Sequence, residues 1–182
     1  MRQKQFLLPN FEKPKLVHGG EHSVGKRKTR RPISTKKPLH VVLRSGRAKG
    51  KLCLRGSGNN QLTEQMIKRY SKMFYIRIYK YSINSNHIHM ALRTRSREAL
   101  QNFLRALAGN LAVKILKAHG ESGKFWDLLA FSRIAEWGNG FRTLIAYVIQ
   151  NQLEAIGAVA YKVRKSKSRL AISRKLNDEH PT

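Results

Sequence analysis

Two histidines stand two residues apart in a run that otherwise predicts a β-strand. The segment SINSNHIHMAL, residues 82–92, contains His87 and His89. Because residues two apart in a strand point to the same side, both imidazoles share one face. Two neutral imidazoles on one face can bind a single divalent ion, but the pair needs a further ligand. A His-x-His pair is also compatible with an ordinary solvent-exposed face, so the spacing alone leaves both interpretations open.

A second polar set follows on a helix predicted over residues 140–157. The polar side chains lie on the arc opposite the apolar stripe of this helix: Thr143, Tyr147, Gln150, Asn151 and Glu154. Tyr147 and Asn151 are four residues apart and are therefore neighbours on that arc. A phenol beside a metal can act as a nucleophile, because a nearby cation lowers the cost of forming phenolate. An amide oxygen from Asn151 could complete the shell of such an ion, and plain amphipathic surface is the alternative.

The segments around these residues predict an α+β fold. Their periodicities give the order β-α-β-β-α-β-α, with strands at 38–46, 75–83 and 86–94, a strand or extended segment at 124–135, and helices at 61–74, 97–118 and 140–157. An Asn-Ser-Asn turn joins the two middle strands, which predicts an antiparallel hairpin. Ser96 is the predicted N-cap of the second helix, and Gly120 follows its end. We expect a ferredoxin-like antiparallel sheet with helices on one face, which leaves the other face to carry a site.

The charge balance predicts a polyanionic partner. The chain has 37 Lys plus Arg against 10 Asp plus Glu, a net charge of +27. Such an excess favours nucleic acid, with a membrane surface as the other candidate. We expect no membrane insertion, because no apolar run approaches the roughly 20 residues that span a bilayer. The short apolar core of the first segment argues against a secretory signal, and the single cysteine, Cys53, suits a reducing cytoplasm.

Composition divides the chain into three regions. Residues 1–37 form a basic, largely disordered arm, residues 38–161 a folded domain, and residues 162–182 a basic tail. The run KRKTRR gives the arm its candidate phosphate ligands: Lys26, Arg27, Lys28, Arg30 and Arg31. A solvated tail that only increases solubility is the alternative interpretation of this arm.

Four segments in order resemble the single-tyrosine HUH transposases, particularly the REP-associated tyrosine transposase branch. They are LHVVLRSGR, NHIHM, FWDLLAFSR and AYVIQNQLEAIG, and the resemblance covers roughly residues 38–160. It implies an HUH-endonuclease fold and an enzyme that cleaves and rejoins single-stranded DNA, often beside imperfect hairpins. It further implies that His87, His89 and Asn151 bind Mg²⁺ or Mn²⁺. Tyr147 would attack the scissile phosphate and form a 5′-phosphotyrosine link.

Several other residues are candidates for contacts around such a site. His40 lies in the first predicted strand, where many relatives of that family also have histidine, and a structural hydrogen-bonded role is the alternative. Gln150 adjoins Asn151 on the polar arc. Arginines of the strands could contact phosphates near the site or be solvated: Arg44, Arg93 and Arg95. Trp126 is predicted in the core, and Trp137 could stack on unpaired bases.

Two other functions remain compatible with the charge. One is a non-enzymatic nucleic-acid-binding protein, such as a ribosome-associated protein, and the other is a decayed transposase that binds DNA without cutting it. Neither requires a His-x-His strand together with a Tyr-x-x-x-Asn helix. The resemblance implies a cytoplasmic, nucleoid-associated protein whose partner is single-stranded or hairpin DNA. It leaves open whether the protein is a monomer or a homodimer that exchanges tyrosine helices.

Overall fold

The computed structural model describes residues 16–27, 29–56 and 58–161. Its strands are β1 (Val17–His18), β2 (Leu39–Arg44), β3 (Arg77–Ile83), β4 (His87–Arg93) and β5 (Phe131–Ile134), and its helices are α1 (Asn59–Met73), α2 (Arg97–Ala118) and α3 (Asn139–Ala155). From β2 onward the order is the predicted β-α-β-β-α-β-α, and the α+β fold is confirmed. The last predicted strand is shorter than expected, because only its final third pairs with the sheet.

All five strands belong to one antiparallel sheet in the order β1-β5-β2-β4-β3. The predicted hairpin is present: the Asn84 N–H donates to the His87 carbonyl across the turn between β3 and β4, at 2.8 Å. β2 lies in the middle, between β5 and β4. The sheet therefore places the histidine strand next to the first predicted strand of the domain, although α1 and β3 separate them in sequence.

One face of the sheet carries the main core. The inward side chains of β2 and β4 are fully or almost fully buried: Leu39, Val41, Leu43, Ile88, Met90 and Leu92. They pack in one cluster with the apolar stripe of α2, including Phe103 and Leu107. Full burial of one such side chain contributes about 1.5–3 kcal/mol, so this layer holds most of the apolar stabilisation.

The third helix lies on the opposite face. Leu144 and Val148 of α3 form a smaller buried cluster with Ala91 of β4 and with Ala135. The helices α1 and α2 cover one face as predicted, but the histidine face is not free of helices. Ala91 projects to the face of β4 opposite to Met90 and Leu92, because neighbouring residues of a strand point to opposite sides. Its small side chain leaves room there for the apolar stripe of α3.

Three of the helix ends, both ends of α2 and the end of α3, follow identifiable signals. The Ser96 Oγ accepts a hydrogen bond from the Ala99 N–H at 3.1 Å, which confirms it as the N-cap of α2. Gly120 and Gly157 adopt positive φ angles of 67° and 76° just beyond α2 and α3. Both glycines thus stand where the chain must turn left-handed to close a helix.

Part of the predicted disordered arm joins the sheet. β1 pairs with β5, and the Arg31 guanidinium donates to the Ser132 Oγ at 2.5 Å and to the Ala130 carbonyl at 2.8 Å. Val17, His18 and Arg31 of the predicted arm therefore contact the folded domain. Residues 1–15, Lys28 and the tail at 162–182 lie outside the described residues. Within the described ranges, no helix combines the length and apolar character needed to cross a bilayer.

Candidate active site

The strand register brings a third histidine to the predicted pair. β2 and β4 are antiparallel, with His40 opposite Ala91, Val42 opposite His89 and Arg44 opposite His87. Residues directly opposite in such a pair project to the same side of the sheet. His40 and Arg44 therefore share the face of His87 and His89, which alternation within one strand could not decide.

His40 and His89 form a buried, hydrogen-bonded pair. The His40 Nε2 lies 3.1 Å from the His89 Nδ1, and the two rings stack with centres 5.3 Å apart. Burial lowers the pKa of the His40 imidazole to about 4, and the positive charge of Arg133, its cross-strand neighbour on β5, adds to this effect. His40 is therefore neutral near pH 7. In the contact with His89, one of the two ring nitrogens donates a proton and the other accepts it.

His87 is held by the turn that precedes it. Its Nδ1 lies 2.7 Å from the Asn86 Oδ1, and its Nε2 lies 2.9 Å from the Asn84 Nδ2. Because the Asn86 oxygen can only accept and the Asn84 amide nitrogen can only donate, Nδ1 carries the proton and Nε2 is the acceptor. The His87 and His89 rings are 4.7 Å apart and almost perpendicular.

The helix α3 places Tyr147 over these histidines. The Tyr147 ring meets His89 and His40 edge-on, with ring centres 5.2 Å and 5.7 Å apart. Leu144 and Val148, which flank Tyr147 on α3, are buried against the same face of the sheet. The tyrosine helix thus docks on the histidine strand of its own chain, which the sequence left open.

Asn151 lies one turn beyond Tyr147 and is buried, with 5% of its surface exposed. Its Nδ2 donates to the Tyr147 carbonyl at 2.7 Å, and this bond fixes the orientation of the carboxamide. Gln150 instead donates through its Nε2 to the Glu154 Oε1 at 2.9 Å. Of the two neighbours on the polar arc, Asn151 faces inward with Tyr147, and Gln150 takes part in a pair along the helix surface.

The side chains below Tyr147 include donors of the kind that the divalent ion implied by the sequence would need. Within the described ranges, no group of three or more His, Cys, Asp or Glu side chains forms a metal-binding cluster. Two adjacent imidazoles and a buried amide on the facing helix nevertheless provide neutral nitrogen and oxygen donors. These donors fit a divalent ion of the Mn²⁺ type better than Mg²⁺, which prefers oxygen ligands. A cation at the His87 Nε2 would take the place of the hydrogen that the Asn84 amide donates.

The predicted arginines do not gather around the histidines. Arg44 is exposed beside His87, but Arg93 ends β4, six residues and therefore about 20 Å along the strand. Arg95 lies beyond it, with its guanidinium 5.7 Å from the centre of the Tyr75 ring. Of the candidate phosphate ligands in the arm, Lys26, Arg27 and Arg30 are exposed, whereas Arg31 donates to Ser132 and Ala130.

Sequence reasoning missed several neighbours of the site. Arg133 and Tyr147 line a cavity of about 300 Å³, together with His40 and Phe131. A cation next to the phenol is suited to hold a phosphate, and only the β2–β5 register reveals its position. Asn84 and Asn86 could have been found, because both stand in the turn directly before the histidine pair.

The two tryptophans differ as expected in their burial. Trp126 is partly buried against the main core, and its Nε1 donates to the Ala108 carbonyl at 2.8 Å, so its core position is confirmed. Trp137 is 45% exposed and packs with Tyr79 and Phe141 near the start of α3.

An antiparallel sheet whose histidine pair faces a tyrosine helix defines a class of protein, and this chain can be compared with known members of it. The sequence pattern of the family described as "Transposase IS200 like" matches residues 33–148. The chain belongs to this family of transposases, and the resemblance stated from the sequence is confirmed. No curated protein matches the chain in sequence.

Two solved structures are similar to the chain. The structure of a REP-associated tyrosine transposase bound to a REP hairpin has a TM-score of 0.56 at 12% identity, covering 83% of this chain and 88% of its own. A protein of Deinococcus radiodurans R1 described as a candidate transposase has a TM-score of 0.43 at 15% identity, covering 70% of this chain and 98% of its own. At these identities, the first likeness supports the shared fold.

Proposed function

We propose that this transposase cleaves and rejoins single-stranded DNA through a covalent bond to Tyr147. One observation carries the proposal: the Tyr147 ring contacts both His40 and His89 on the face opposite the main core. Contact with two buried imidazoles is not required to stabilise a tyrosine on a surface helix, so the arrangement indicates a function. The family acts in DNA transposition, which requires strand cleavage, and this cluster supplies a nucleophile for it.

The reaction that fits these residues is an in-line displacement at phosphorus. The Tyr147 phenol oxygen attacks the scissile phosphate, its proton passes to solvent, and a new oxygen–phosphorus bond forms. The bond from phosphorus to the 3′ oxygen breaks, and that oxygen takes up a proton and leaves as a 3′-hydroxyl. The phosphotyrosine conserves the energy of the broken bond. A second 3′-hydroxyl can therefore attack it, restore the phenol and join a new pair of DNA ends.

Neighbouring side chains orient this reaction. The contact with His40 holds the imidazole of His89 in place, and the Asn84 and Asn86 amides hold the ring of His87. Arg133, which lines the cavity beside Tyr147, is placed to hold a phosphate before attack. We propose His87, His89 and Asn151 as the ligands of a divalent ion, Mn²⁺ or Mg²⁺. When bound, this ion would withdraw charge from the phosphoryl oxygens.

The partner that we propose is single-stranded or hairpin DNA. The net charge of +27 supports a polyanionic partner, and a transposase with the same fold is bound to a REP hairpin. Tyr147 and the histidines come from one chain in this structure, which supports an active site that is complete within a monomer. A homodimer that exchanges its tyrosine helices would build the same cluster from two chains.

The experiment that tests the proposal looks for the covalent link. Full-length protein is incubated with labelled hairpin oligonucleotides and Mn²⁺ or Mg²⁺ and then separated on a denaturing gel. We expect a protein–DNA adduct with wild type and none with Tyr147→Phe, since the substitution removes only the attacking oxygen. Tyr161→Phe is the matched control, because Tyr161 is 72% exposed beyond the end of α3.

Two results would overturn the proposal. An adduct that persists in Tyr147→Phe would place the nucleophile elsewhere. Failure of every substrate, including the DNA that flanks the gene, to give an adduct or a cut strand would leave a DNA-binding protein without this activity.

A further inference from the structure

A cationic cavity lies at the far end of the histidine strand from the candidate active site. It measures about 360 Å³ and is lined by four cations and an aromatic ring: Lys72, Arg77, Arg93, Arg95 and Tyr75. No carboxylate lines it, and none of these four cations forms an ion pair with another described residue. We refer to it as the distal cavity. Like charges gathered without a counter-ion destabilise one another, so this arrangement calls for an anionic ligand.

Tyr75 stands in this cavity in a conformation that tyrosine disfavours. Its φ angle is 53°, the one positive φ of a non-glycine residue in the ranges that the structure describes. The Ile76 N–H donates to the Ser71 carbonyl at 2.8 Å and the Tyr75 N–H to the Lys72 carbonyl at 3.3 Å. These two bonds form the left-handed closure that ends a helix, and glycine is the usual residue at its centre.

The other two helices of the same molecule show what the ordinary solution is. After α2, Gly120 and the Glu121 N–H close the helix with the same pair of bonds, and after α3, Gly157 and the Ala158 N–H do so. Only α1, of these three, uses a residue with a side chain. Left-handed backbone is unfavourable for any residue with a Cβ, so Tyr75 reduces stability relative to glycine.

The Tyr75 side chain does not recover this loss by packing. It is 71% exposed, and the Arg95 guanidinium lies over its ring, 5.7 Å from the ring centre. A strained residue that contributes nothing to the core is a sign of function at that position. An exposed aromatic ring beside several cations is the usual arrangement for binding unpaired nucleotides, because the ring stacks on the base and the cations hold the phosphates.

We propose that the distal cavity binds an unpaired nucleotide of the DNA substrate, with its base stacked on Tyr75 and its phosphates held by the four cations. This inference rests on the proposed function for the identity of the polymer. Arg77 and Arg93 are cross-strand neighbours on the histidine face, and Arg93 lies about 20 Å from His87 along β4. That distance corresponds to about six nucleotides of a helical strand. The distal cavity therefore grips the DNA well away from the bond that is cut.

The test measures binding of a single-stranded oligothymidylate of about 20 nucleotides by fluorescence anisotropy. All variants carry Tyr147→Phe and are measured in EDTA, so the result does not depend on cleavage. We expect Tyr75→Gly to bind about tenfold more weakly while its melting temperature rises or stays unchanged. Tyr161→Gly, which removes an equally exposed tyrosine, should change binding less than twofold.

A second pair of variants tests the cations. In the double variant Arg77→Ala/Arg93→Ala, the slope of log affinity against log salt should become less negative by about 1.4, as expected when two phosphate contacts are lost. Lys114→Ala with Lys117→Ala removes the same charge from the exposed face of α2 and should change this slope by less than half as much.

The proposal fails if Tyr75→Gly binds like its parent. It also fails if the melting temperature falls together with the affinity, since Tyr75 would then be a packing residue. A wild-type protein that forms no adduct, combined with weaker binding by Tyr75→Gly, would overturn the cleavage reaction and leave the distal cavity standing.

Discussion

On the sheet face covered by α1 and α2, the residues of β2 and β4 are aliphatic and buried, and they join one large apolar cluster. On the face covered by α3, the alternate residues of the same strands include His40, His87, His89 and Arg44, and the apolar cluster is limited to a few side chains around Ala91. Adjacent residues of one strand therefore belong to environments with opposite properties.

This difference separates stability from chemistry within a single sheet. The large cluster can hold the fold without any contribution from the histidines. The small cluster has a narrower task, which is to dock one helix so that Tyr147 meets the imidazoles. The second face can therefore carry polar and charged residues that do not stabilise the fold, because the apolar cluster on the first face supplies most of the free energy of folding.

The largest effect that we expect compares two buried leucines, one on each face. Leu107 of α2 is 0% exposed and Leu144 of α3 is 2% exposed, so the same substitution can be made in both clusters. Leu107→Ala should lower the free energy of unfolding by about 3–5 kcal/mol and Leu144→Ala by about 2–3 kcal/mol, because the small cluster can collapse into the cavity. Urea unfolding measures both values.

The rate of adduct formation provides the second half of this comparison. Leu144 is one turn before Tyr147, so its truncation should slow the reaction about tenfold in protein that is fully folded. Leu107→Ala should leave the rate per folded molecule unchanged. Equal losses of stability with no change in either rate would show that the two faces are not separated in this way.

The sequence predicted most of this architecture, because the signals were local. Alternation assigned His87 and His89 to one face, and the 3.6-residue period separated Tyr147 from the apolar stripe of α3. The face of His40 depends on a register across 49 residues, and no local pattern encodes it. The position of Arg133 and the docking of α3 on the histidine face likewise depend on tertiary contacts. The pairing of β1 with β5 was not predicted, because the many charged residues of this segment indicated disorder.

The second prediction concerns His87. His87→Ala should slow adduct formation about a hundredfold or more, equivalent to about 2.7 kcal/mol of transition-state stabilisation. DNA affinity should change less than threefold, because Lys and Arg side chains dominate it. Adduct yield and anisotropy, measured in the same samples, check both statements.

His119→Ala is the matched control for His87→Ala. His119 follows α2, away from the histidine face, and its Nε2 contacts the Asn59 Oδ1 at 3.4 Å. We expect it to retain the full rate. Cleavage that survives in His87→Ala would show that this histidine does not belong to the reaction centre.

The smallest effect that we expect is a pH dependence of stability that originates at His40. Its pKa is about 4 in the folded protein against an ordinary value of 6.5, so the unfolded chain binds a proton first as the pH falls. The contribution of neutral His40 is complete above pH 6.5 and is lost as the pH falls from 6.5 towards 4. Between about pH 7.5 and pH 5 the free energy of unfolding should drop by about 2 kcal/mol from this group.

Urea unfolding in EDTA, with wild type and His40→Gln compared at both pH values, isolates that contribution. Glutamine keeps a hydrogen-bonding side chain beside His89 but does not titrate, so the drop should be about 2 kcal/mol smaller in the variant. Other titrating groups contribute equally to both proteins and cancel in the difference. An identical pH dependence in the two proteins would mean that His40 is not held neutral by its burial between the sheet and α3. The contrast between an apolar face that is indifferent to pH and a histidine face that responds to it would then be lost.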